Sequence, residues 1–289
     1  MKSNPECVPC LLRQAREAIA LSGLETRAAF SLWERAERFM EQTDPCQSPP
    51  VMAQQLHRLI RQHSGNPDPY AAMKTRLNER ALRLYPEWHR RFLQAWTPLE
   101  AAVRMAIVGN LLDVGSKTQL DKTAVLAAFE DALTAPLRGS VELFAGAIRQ
   151  ARQILYLADN TGEIVFDRDL LAQLPPGKCA FAVRGSPVLN DATLADAEAV
   201  GIRNICDVIA NGSDAPGTLL DDCSPEFREQ FHAADLVIAK GQGNFESLNR
   251  MDKNIFFLLK IKCDVLRRSL GCPRGSLMLH CSRPTAGGF

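Results

Sequence analysis

Five short apolar runs in the second half of the sequence constrain the fold more than any other feature. They are ILYLA (154–158), CAFAV (179–183), ICDVIA (205–210), LVIAK (236–240) and SLMLHC (276–281). Helix-length segments lie between them, among them 163–173, 191–200 and 244–259. Continuous apolar strands that alternate with helices are typical of a parallel sheet covered on both faces. The pattern therefore predicts an α/β fold with a doubly wound, mostly parallel sheet.

The first half of the chain has a helical periodicity instead. Apolar residues recur at spacings of three, four and seven from Val8 to Ile19, and similar stripes lie within 29–40, 56–60 and 70–84. Clusters of proline and turn residues at 43–50 and 64–69 separate these stripes, and Pro86 is expected to end the last helix. We therefore predict an N-terminal helical domain at 1–98 and an α/β domain at 99–289.

Composition excludes several classes of protein. The chain has 289 residues, with 34 basic and 33 acidic side chains, so a formal charge of +1 gives no general attraction to nucleic acid or acidic membranes. No apolar run approaches the roughly 18–20 residues of a membrane-spanning helix, and no signal peptide is visible. The nine cysteines are scattered and odd in number. We expect reduced thiols and a cytoplasmic protein with no nucleic-acid or membrane partner.

Ligands of a parallel sheet bind beyond the carboxyl ends of its strands, so the polar residues after each run are candidates for a site. Asp159, Asn160 and Glu163 follow the first run, and their hard oxygen atoms suit Mg²⁺ or Mn²⁺ better than zinc. Asn190 and Asp191 again place an amide beside a carboxylate after the second run. Taken alone, each segment is explained better as a turn and a helix cap.

Candidate anion-binding groups follow the next strands. Lys240 ends the fourth run, and Gly241 and Gly243 after it would let backbone amides approach a phosphate beside a point charge. Arg184 is either a phosphate clamp or a solvated cation. The glycine-containing loop at 211–218 could also cradle an anion, although a surface turn explains it better.

A polar pair interrupts the buried stripe of the segment 101–115. Asn110 and Asp113 lie three residues apart, on the same side of the predicted helix. Polar groups in a buried stripe need partners. They are therefore either core hydrogen-bonding residues or a contribution of this helix to the site.

Cys7 and Cys10 lie three apart on one face of the first helix. A structural zinc site normally needs four ligands, and no second C-x-x-C completes one. We favour packed thiols, with redox pairing or a metal site shared with a histidine or Cys46 as open alternatives. His57 and His63 are expected on helix surfaces.

Five motifs taken together resemble one family. They are Cys7-x-x-Cys10, GNLLD (109–113), DNTGE (159–163), RGSPVLND (184–191) and KGQGNFE (240–246). Their order, across essentially the whole chain, is similar to domain-of-unknown-function family 89, also called the damage-control phosphatase or acidic-residue-methyltransferase-like metal-binding domain family. The resemblance implies a helical domain packed on a doubly wound α/β domain. It also implies metal-dependent hydrolysis of phosphomonoesters of small metabolites, such as sugar phosphates or related damaged metabolites.

The resemblance also implies roles for individual residues. Asp159, Asn160 and Asp191 would hold a divalent ion, Mn²⁺ or Mg²⁺, with Co²⁺ or Ni²⁺ as further candidates. Lys240 would hold the phosphate of a small phosphorylated metabolite. The wider set of expected substrate- and phosphate-binding residues is Gly241, Asn110, Arg184, Asn190 and Asn244.

For the reaction itself, we expect water activated by the metal as the nucleophile. Asp159 as a covalent nucleophile is less favoured, because the paired Asp-x-Asp pattern of haloacid-dehalogenase phosphatases is absent. Glu163 or Asp113 would accept the proton, and the sequence does not choose between them.

Two other functions stay open at this stage. One is a carboxyl methyltransferase that uses S-adenosylmethionine, which is disfavoured because no G-x-G-x-G loop follows ILYLA. The other is a non-catalytic protein that binds a metal and a phosphorylated metabolite.

Overall fold

The computed structural model describes residues 1–109, 127, 130–131 and 134–283. Its N-terminal part is helical, as predicted. A 3₁₀ turn at Pro5–Cys7 leads into helices α1 (Val8–Leu21), α2 (Thr26–Gln42), α3 (Pro49–Ser64), α4 (Ala71–Leu93) and α5 (Pro98–Val108). The apolar stripes of α1, α2 and α3 pack on one another around Ala15, Leu32 and Leu56, which are almost fully buried. These three helices thus have a small core of their own.

Two expectations for the helical region are wrong. Helix α4 does not end at Pro86 but continues to Leu93, because the next turns bury Trp88 and Phe92 in the main core. The free energy gained from that burial offsets the backbone hydrogen bond that Pro86 cannot donate and the clash of its ring with the preceding turn. His57 is not on the surface: it is 3% exposed, and burial lowers its pKa to about 3, so the ring is neutral.

A seven-stranded sheet forms the centre of the described residues. Its strands are β1 (Leu137–Arg138), β2 (Ile154–Leu157), β3 (Cys179–Val183), β4 (Asp207–Ala210), β5 (Leu236–Lys240), β6 (Ile255–Lys260) and β7 (Leu277–Cys281). Their order is β1-β7-β6-β5-β2-β3-β4, and each neighbouring pair is parallel except β6 with β7. The predicted doubly wound, mostly parallel sheet is confirmed.

Helices cover both faces of the sheet. They are α6 (Val141–Gln150), α7 (Glu163–Leu171), α8 (Leu194–Ala199), α9 (Pro225–Ala233), α10 (Gly241–Leu248) and α11 (Asp264–Leu270). Alternate residues of β2 point to opposite faces, so Ile154 and Tyr156 pack in one core and Leu155 and Leu157 in the other. The second half of α4 belongs to the first of these cores. The domain division at residue 98 stays a prediction.

Strand β6 is the main departure from the predicted elements. The segment 244–259 was expected to be one helix, whereas α10 ends at Leu248 and a turn leads into IFFLLK at 255–260. The run is rich in aromatic and branched side chains and lies between β5 and β7, with most of its residues buried. A short apolar run fits a buried strand as well as a buried helix, which is why periodicity misassigned it.

The strand order creates a crevice at one edge of the sheet. From β2 the chain moves to β3 and β4 on one side and then returns to β5 on the other side of β2. The segments that follow β2 and β5 therefore diverge at the point where the strand order reverses. In open α/β sheets this is where ligands bind. Asp159 lies in the loop after β2, and Gly241 is the first residue of α10, directly after β5.

Within the described ranges, no helix is both long enough and apolar enough to span a bilayer.

Asn78 of α4 joins the helical region to the crevice and provides a first prediction. Its Oδ1 accepts a hydrogen bond from the Gly162 amide at 2.7 Å, and its Nδ2 donates to Asp196 Oδ1 at 3.1 Å. Asn78→Ala would leave both groups without these partners in a buried place. We expect a loss of about 1–3 kcal/mol in the free energy of unfolding, measured by urea denaturation. Glu79→Ala, an exposed neighbour on the same helix, is the matched control; equal stability of both variants would contradict this interpretation.

Candidate active site

Two loops join to form the floor of the crevice. The Thr161 amide donates to Asn190 O at 2.8 Å, and the Ala192 amide donates to Asp159 O at 2.8 Å. Asn160 and Asp191 form an isolated antiparallel bridge between the same loops. Because these bonds fix the backbone, the side chains of Asp159, Asn160 and Asp191 are held on one side of the floor. The structure thus brings together the three predicted metal ligands, each less than a tenth exposed.

A glycine allows the loop after β5 to approach this floor. Gly241 has a φ of +79°, and a Cβ atom there would overlap the carboxylate of Asp159. A side chain at 241 would therefore displace either the carboxylate or the start of α10. On the other side of the floor, Leu189 has a φ of +47°, which is strained for a leucine and directly precedes Asn190.

Arg184 is a buried partner of the floor carboxylates. Its Nε donates to Asp191 Oδ2 at 2.6 Å, and its Nη2 lies 3.9 Å from Asp159 Oδ1. The guanidinium is 2% exposed, so the alternative of a solvated cation is wrong. Nη2 has no hydrogen-bond partner among the described residues. A donor in this position could reach an oxygen atom bound next to Asp159 and Asp191.

The electrostatics of the floor favour a bound cation. Burial raises the pKa of Asp159 well above its ordinary value, and the neighbouring carboxylates of Glu163 and Asp191 raise it further, against the opposing effects of Arg184 and Lys262. Two kinds of buried charged group lie in and under the floor: the carboxylates of Asp159, Asp191, Glu163 and Asp167, and the cations of Arg184 and Lys240. When ionised, these side chains carry two more negative than positive charges. A divalent ion would balance that excess.

Lys240 lies beneath the crevice. Its Nζ makes ion pairs with Glu163 Oε1 and Asp167 Oδ1, both at 2.6 Å, and all three side chains are buried. Burial lowers the pKa of Lys240, but the two carboxylates outweigh it and the net shift is upward. The pKa of Asp167 is raised to about 6 by burial, in spite of Lys240. The ammonium group of Lys240 thus faces two carboxylates of α7, and its contact with a phosphate stays a prediction.

Asn244 occupies a structural position between the strand ends. Its Nδ2 donates to Lys240 O at 2.8 Å and to Ala158 O at 3.1 Å, and its Oδ1 accepts from Thr218 Oγ1 at 2.8 Å. The side chain is fully buried and joins the ends of β2 and β5. Both the oxygen and the nitrogen of the Asn244 side-chain amide thus have hydrogen-bond partners within the protein.

A cavity of about 370 Å³ lies over the floor. Asp159, Asn160, Asn190 and Asp191 line its base, and its walls come from α1, α10 and the segment after β6. The walls carry groups that the sequence did not single out, namely Gln242, Glu246, Lys262 and Arg274. The charge of Lys262 opposes the rise in the pKa of Asp159 that burial causes. The cavity therefore joins an acidic floor to walls of mixed charge, in which Lys262 and Arg274 stand beside Glu6, Glu246 and Asp264.

The sequence contained signals for two of the residues that were missed. Lys262 follows β6, so the rule of inspecting polar residues after each strand would have found it if 255–260 had been assigned to a strand. Asp167 lies four residues after Glu163 in a helix that is otherwise rich in apolar residues, which puts both carboxylates on one face of α7.

The loop at 211–218 is tied to the helical region. Asp214 pairs with both Arg58 and Arg61 of α3, and Arg58 also pairs with Asp222 at 3.0 Å. Asn211 Oδ1 accepts from the amides of Gly185 and Ser213, both at 2.9 Å. These bonds hold the loop against α3, and its Pro216 lines the cavity.

Two predicted site residues, Asn110 and Asp113, lie outside the described residues. The preceding Gly109 approaches the start of α7, where an added Cβ would lie 3.2 Å from Glu163 O. Over the described ranges, no group of three or more His, Cys, Asp or Glu side chains is arranged to hold a metal ion. A metal site on the floor would therefore need the amide of Asn160 in addition to the carboxylates of Asp159 and Asp191.

Comparisons with known proteins agree with this architecture. The chain matches a model of the damage-control phosphatase ARMT1-like domain over residues 3–278. It is 34% identical to an uncharacterized protein of Methanocaldococcus jannaschii, covering 96% of this chain and 95% of that one. It is 32% identical to a damage-control phosphatase of Pyrococcus horikoshii, with coverage of 96% and 97%.

Two further matches extend the comparison. A damage-control phosphatase of Archaeoglobus fulgidus is 31% identical, covering 96% of this chain and 98% of that protein. The crystal structure of a DUF89 family protein of Pyrococcus horikoshii superimposes with a TM-score of 0.89 at 29% identity, covering 98% of this chain and all of that one. On these matches, the chain belongs to the damage-control phosphatase ARMT1-like, or DUF89, family.

Proposed function

We propose that the chain is a metal-dependent phosphatase that hydrolyses phosphomonoesters of small metabolites. The observation that carries the proposal is the buried acidic floor, Asp159, Asn160 and Asp191, at the base of a cavity that also holds Lys262. Anionic ligands on the floor and the cation of Lys262 in the same cavity suit a substrate that brings a phosphate to a metal ion. The names of two relatives as damage-control phosphatases support the same reaction class.

The donor set fits a hard divalent ion. Two carboxylates and an amide oxygen are ligands that Mg²⁺ and Mn²⁺ accept. The Asn160 amide nitrogen donates to Asp159 Oδ2 at 3.2 Å, so the amide oxygen is the atom that Asn160 has left to offer. When bound, such an ion would polarise a phosphoryl oxygen and lower the pKa of a water molecule.

The residues of the chain would divide the remaining work. Lys262 on the cavity wall would attract the phosphate and offset the charge on its oxygens, and the unpartnered Nη2 of Arg184 would donate to one of them. Preorganised donors of this kind stabilise charge that develops in a transition state. The cavity volume of about 370 Å³ suits a small phosphorylated molecule.

Lys240 would act on the site through Glu163. The ammonium holds Glu163 and Asp167 in fixed positions under the floor. It also partly neutralises the negative charge of Glu163, which acts on Asp159. We therefore propose Lys240 as a positioning residue and Lys262 as the residue that meets the phosphate. Glu163 and Asp113 both remain candidates for accepting the proton of the attacking water.

Phosphate release from p-nitrophenyl phosphate and from a panel of sugar phosphates tests the proposal. The protein would be stripped with EDTA and supplied in turn with Mn²⁺, Mg²⁺, Co²⁺ or Ni²⁺. We expect release only with a divalent ion. Methyl transfer from S-adenosylmethionine without phosphate release would favour the carboxyl methyltransferase. Calorimetric binding of both metal and sugar phosphate, with neither reaction, would favour a binding protein.

Thermal stability provides a prediction about the metal that does not depend on turnover. The folded-state pKa of Asp159 lies well above its ordinary value of 3.8. Its contribution to stability is therefore best below about pH 4 and declines as the pH rises through the folded-state pKa. In metal-free buffer at pH 7, Asp159→Asn should raise Tm relative to the wild type, and the difference should vanish near pH 4.

Added Mn²⁺ should reverse that order. At roughly a hundred times Kd, we expect a gain of about 5 °C in the Tm of the wild type and little gain in Asp159→Asn. Asp207→Asn, an exposed carboxylate at the opposite edge of the sheet, should respond to Mn²⁺ like the wild type. An equal shift in all three proteins would exclude Asp159 as a ligand.

Substitutions of Lys262 and Lys240 should have different effects, the first on activity and the second on stability. Lys262→Ala should lower kcat/KM by a factor on the order of 10²–10³ with little change in Tm, because it removes a charge from the cavity wall. Lys240→Met should lower the free energy of unfolding by about 3–5 kcal/mol, because two buried carboxylates lose their cation. Steady-state kinetics and urea denaturation measure the two effects. A stable, inactive Lys240→Met together with an active Lys262→Ala would return the phosphate contact to Lys240.

A further inference from the structure

The C-x-x-C motif lies on the wall of the candidate active-site cavity. Cys7 is the N-cap of α1 and Cys10 is in its first turn, and both line the cavity that has Asp159 and Asp191 at its base. A third thiol, Cys263 after β6, lines the same cavity. The fold thus brings residues 7, 10 and 263 to one opening, which the proposed phosphatase chemistry does not use.

We propose that Cys7 and Cys10 form a redox-active dithiol, oxidised by a peroxide to an intramolecular disulfide at the cavity wall. Two cysteines separated by two residues at the start of a helix are a common arrangement for this chemistry, because the helix N-terminus stabilises a thiolate. The consequence for turnover rests on the proposed phosphatase function. The chemistry at the two sulfur atoms does not.

The local geometry allows the bridge to close. Side chains three apart on a helix have Cβ atoms about 5–6 Å apart, whereas a disulfide needs about 3.8 Å. Cys7 ends the 3₁₀ turn Pro5–Cys7, and its amide bonds to Asn4 O at 2.7 Å, outside the ladder of α1. A small rotation of this turn can bring Cys7 toward Cys10 without breaking the helix.

The two thiols are suited to different steps. Cys10 is exposed, so a peroxide can reach it first. Cys7 is half-buried, and burial raises its pKa, with Glu246, Cys263 and Cys10 adding to the effect against the Asn4 hydrogen bond. Cys10 therefore reacts first, and Cys7, the neighbouring thiol, loses its proton as it attacks the oxidised Cys10.

The reaction balances with hydrogen peroxide as the oxidant. The Cys10 thiolate attacks one peroxide oxygen, so that an S–O bond forms, the O–O bond breaks and the departing hydroxide takes up a proton to become water. Cys7 then attacks the sulfur of the Cys10 sulfenic acid. The S–S bond forms, the S–O bond breaks, and the hydroxide leaves as water with the proton of Cys7. Two thiols are oxidised and one peroxide is reduced to two waters.

Closure would change the shape of the cavity entrance. Glu6, next to Cys7, pairs with Arg268 of α11 at 2.6 Å and so joins the 3₁₀ turn to the opposite wall. Rotation of the turn would move Glu6 relative to Arg268. We expect the oxidised protein to have a kcat/KM about tenfold lower, within the roughly 10²-fold that a 1 Å displacement can cost.

Mass spectrometry of the full-length protein tests the sulfur chemistry independently of activity. After treatment with hydrogen peroxide and alkylation in denaturant, the nine alkylatable cysteines should fall to seven, and dithiothreitol should restore them. Trypsin places Cys7 and Cys10 in one peptide, 3–13, and Cys263 in another, 263–267. An internal bridge in 3–13 supports the proposal. A cross-link between the two peptides, or no bridge in 3–13, would overturn it.

Single variants test the order of the steps. Cys7→Ser should leave a dimedone-reactive sulfenic acid on Cys10, whereas Cys10→Ser should leave none on Cys7. Cys46→Ser, at another exposed cysteine, should behave like the wild type in both respects. Stoichiometric zinc released from the purified protein by peroxide would instead identify the thiols as metal ligands and overturn the redox assignment. If the bridge forms without any phosphatase activity in either state, the proposed function fails and the redox pair does not.

Discussion

Two buried cations hold the acidic edge of this sheet together. Arg184 pairs with Asp191 in the floor of the cavity, and Lys240 pairs with Glu163 and Asp167 underneath it. A carboxylate buried without a partner is costly, so these pairs make it possible to place four of them around one strand end. The compensation is incomplete: although Arg184 Nη2 lies 3.9 Å from Asp159 Oδ1, burial and the carboxylates of Glu163 and Asp191 raise the pKa of Asp159. That remaining imbalance is the physical basis for proposing a divalent ion.

The fold brings the charges together through its strand order. Because β2 lies between β3 and β5, the loops that carry Asp159, Asp191 and Gly241 meet at one edge. Gly241 is required there, since any side chain would overlap Asp159. The helical region completes the arrangement: Asn78 holds Gly162, and Arg58 and Arg61 hold Asp214. The helical region thus helps to shape the cavity through these contacts, although none of the three proposed metal ligands belongs to it.

Much of this arrangement could be predicted from the sequence, because each strand run ends in polar residues and strand ends of a parallel sheet converge. Asp159, Asn160 and Asp191 were found in this way. Lys262 was missed because IFFLLK at 255–260 fits a helix or a strand equally well. The direction of Lys240 could not be predicted either. Strand side chains alternate, so Lys240 shares a face with Ile238 and meets α7, a helix whose packing the sequence does not specify.

Anomalous X-ray diffraction from a crystal grown with Mn²⁺ would locate the metal ion. We expect one ion in contact with the side chains of Asp159, Asn160 and Asp191, at oxygen distances of about 2.0–2.3 Å. The ion should lie at the base of the cavity. An ion bound by Cys7, Cys10 or Cys263, with no anomalous peak at the three floor residues, would contradict the assignment of the metal site and with it the proposed reaction.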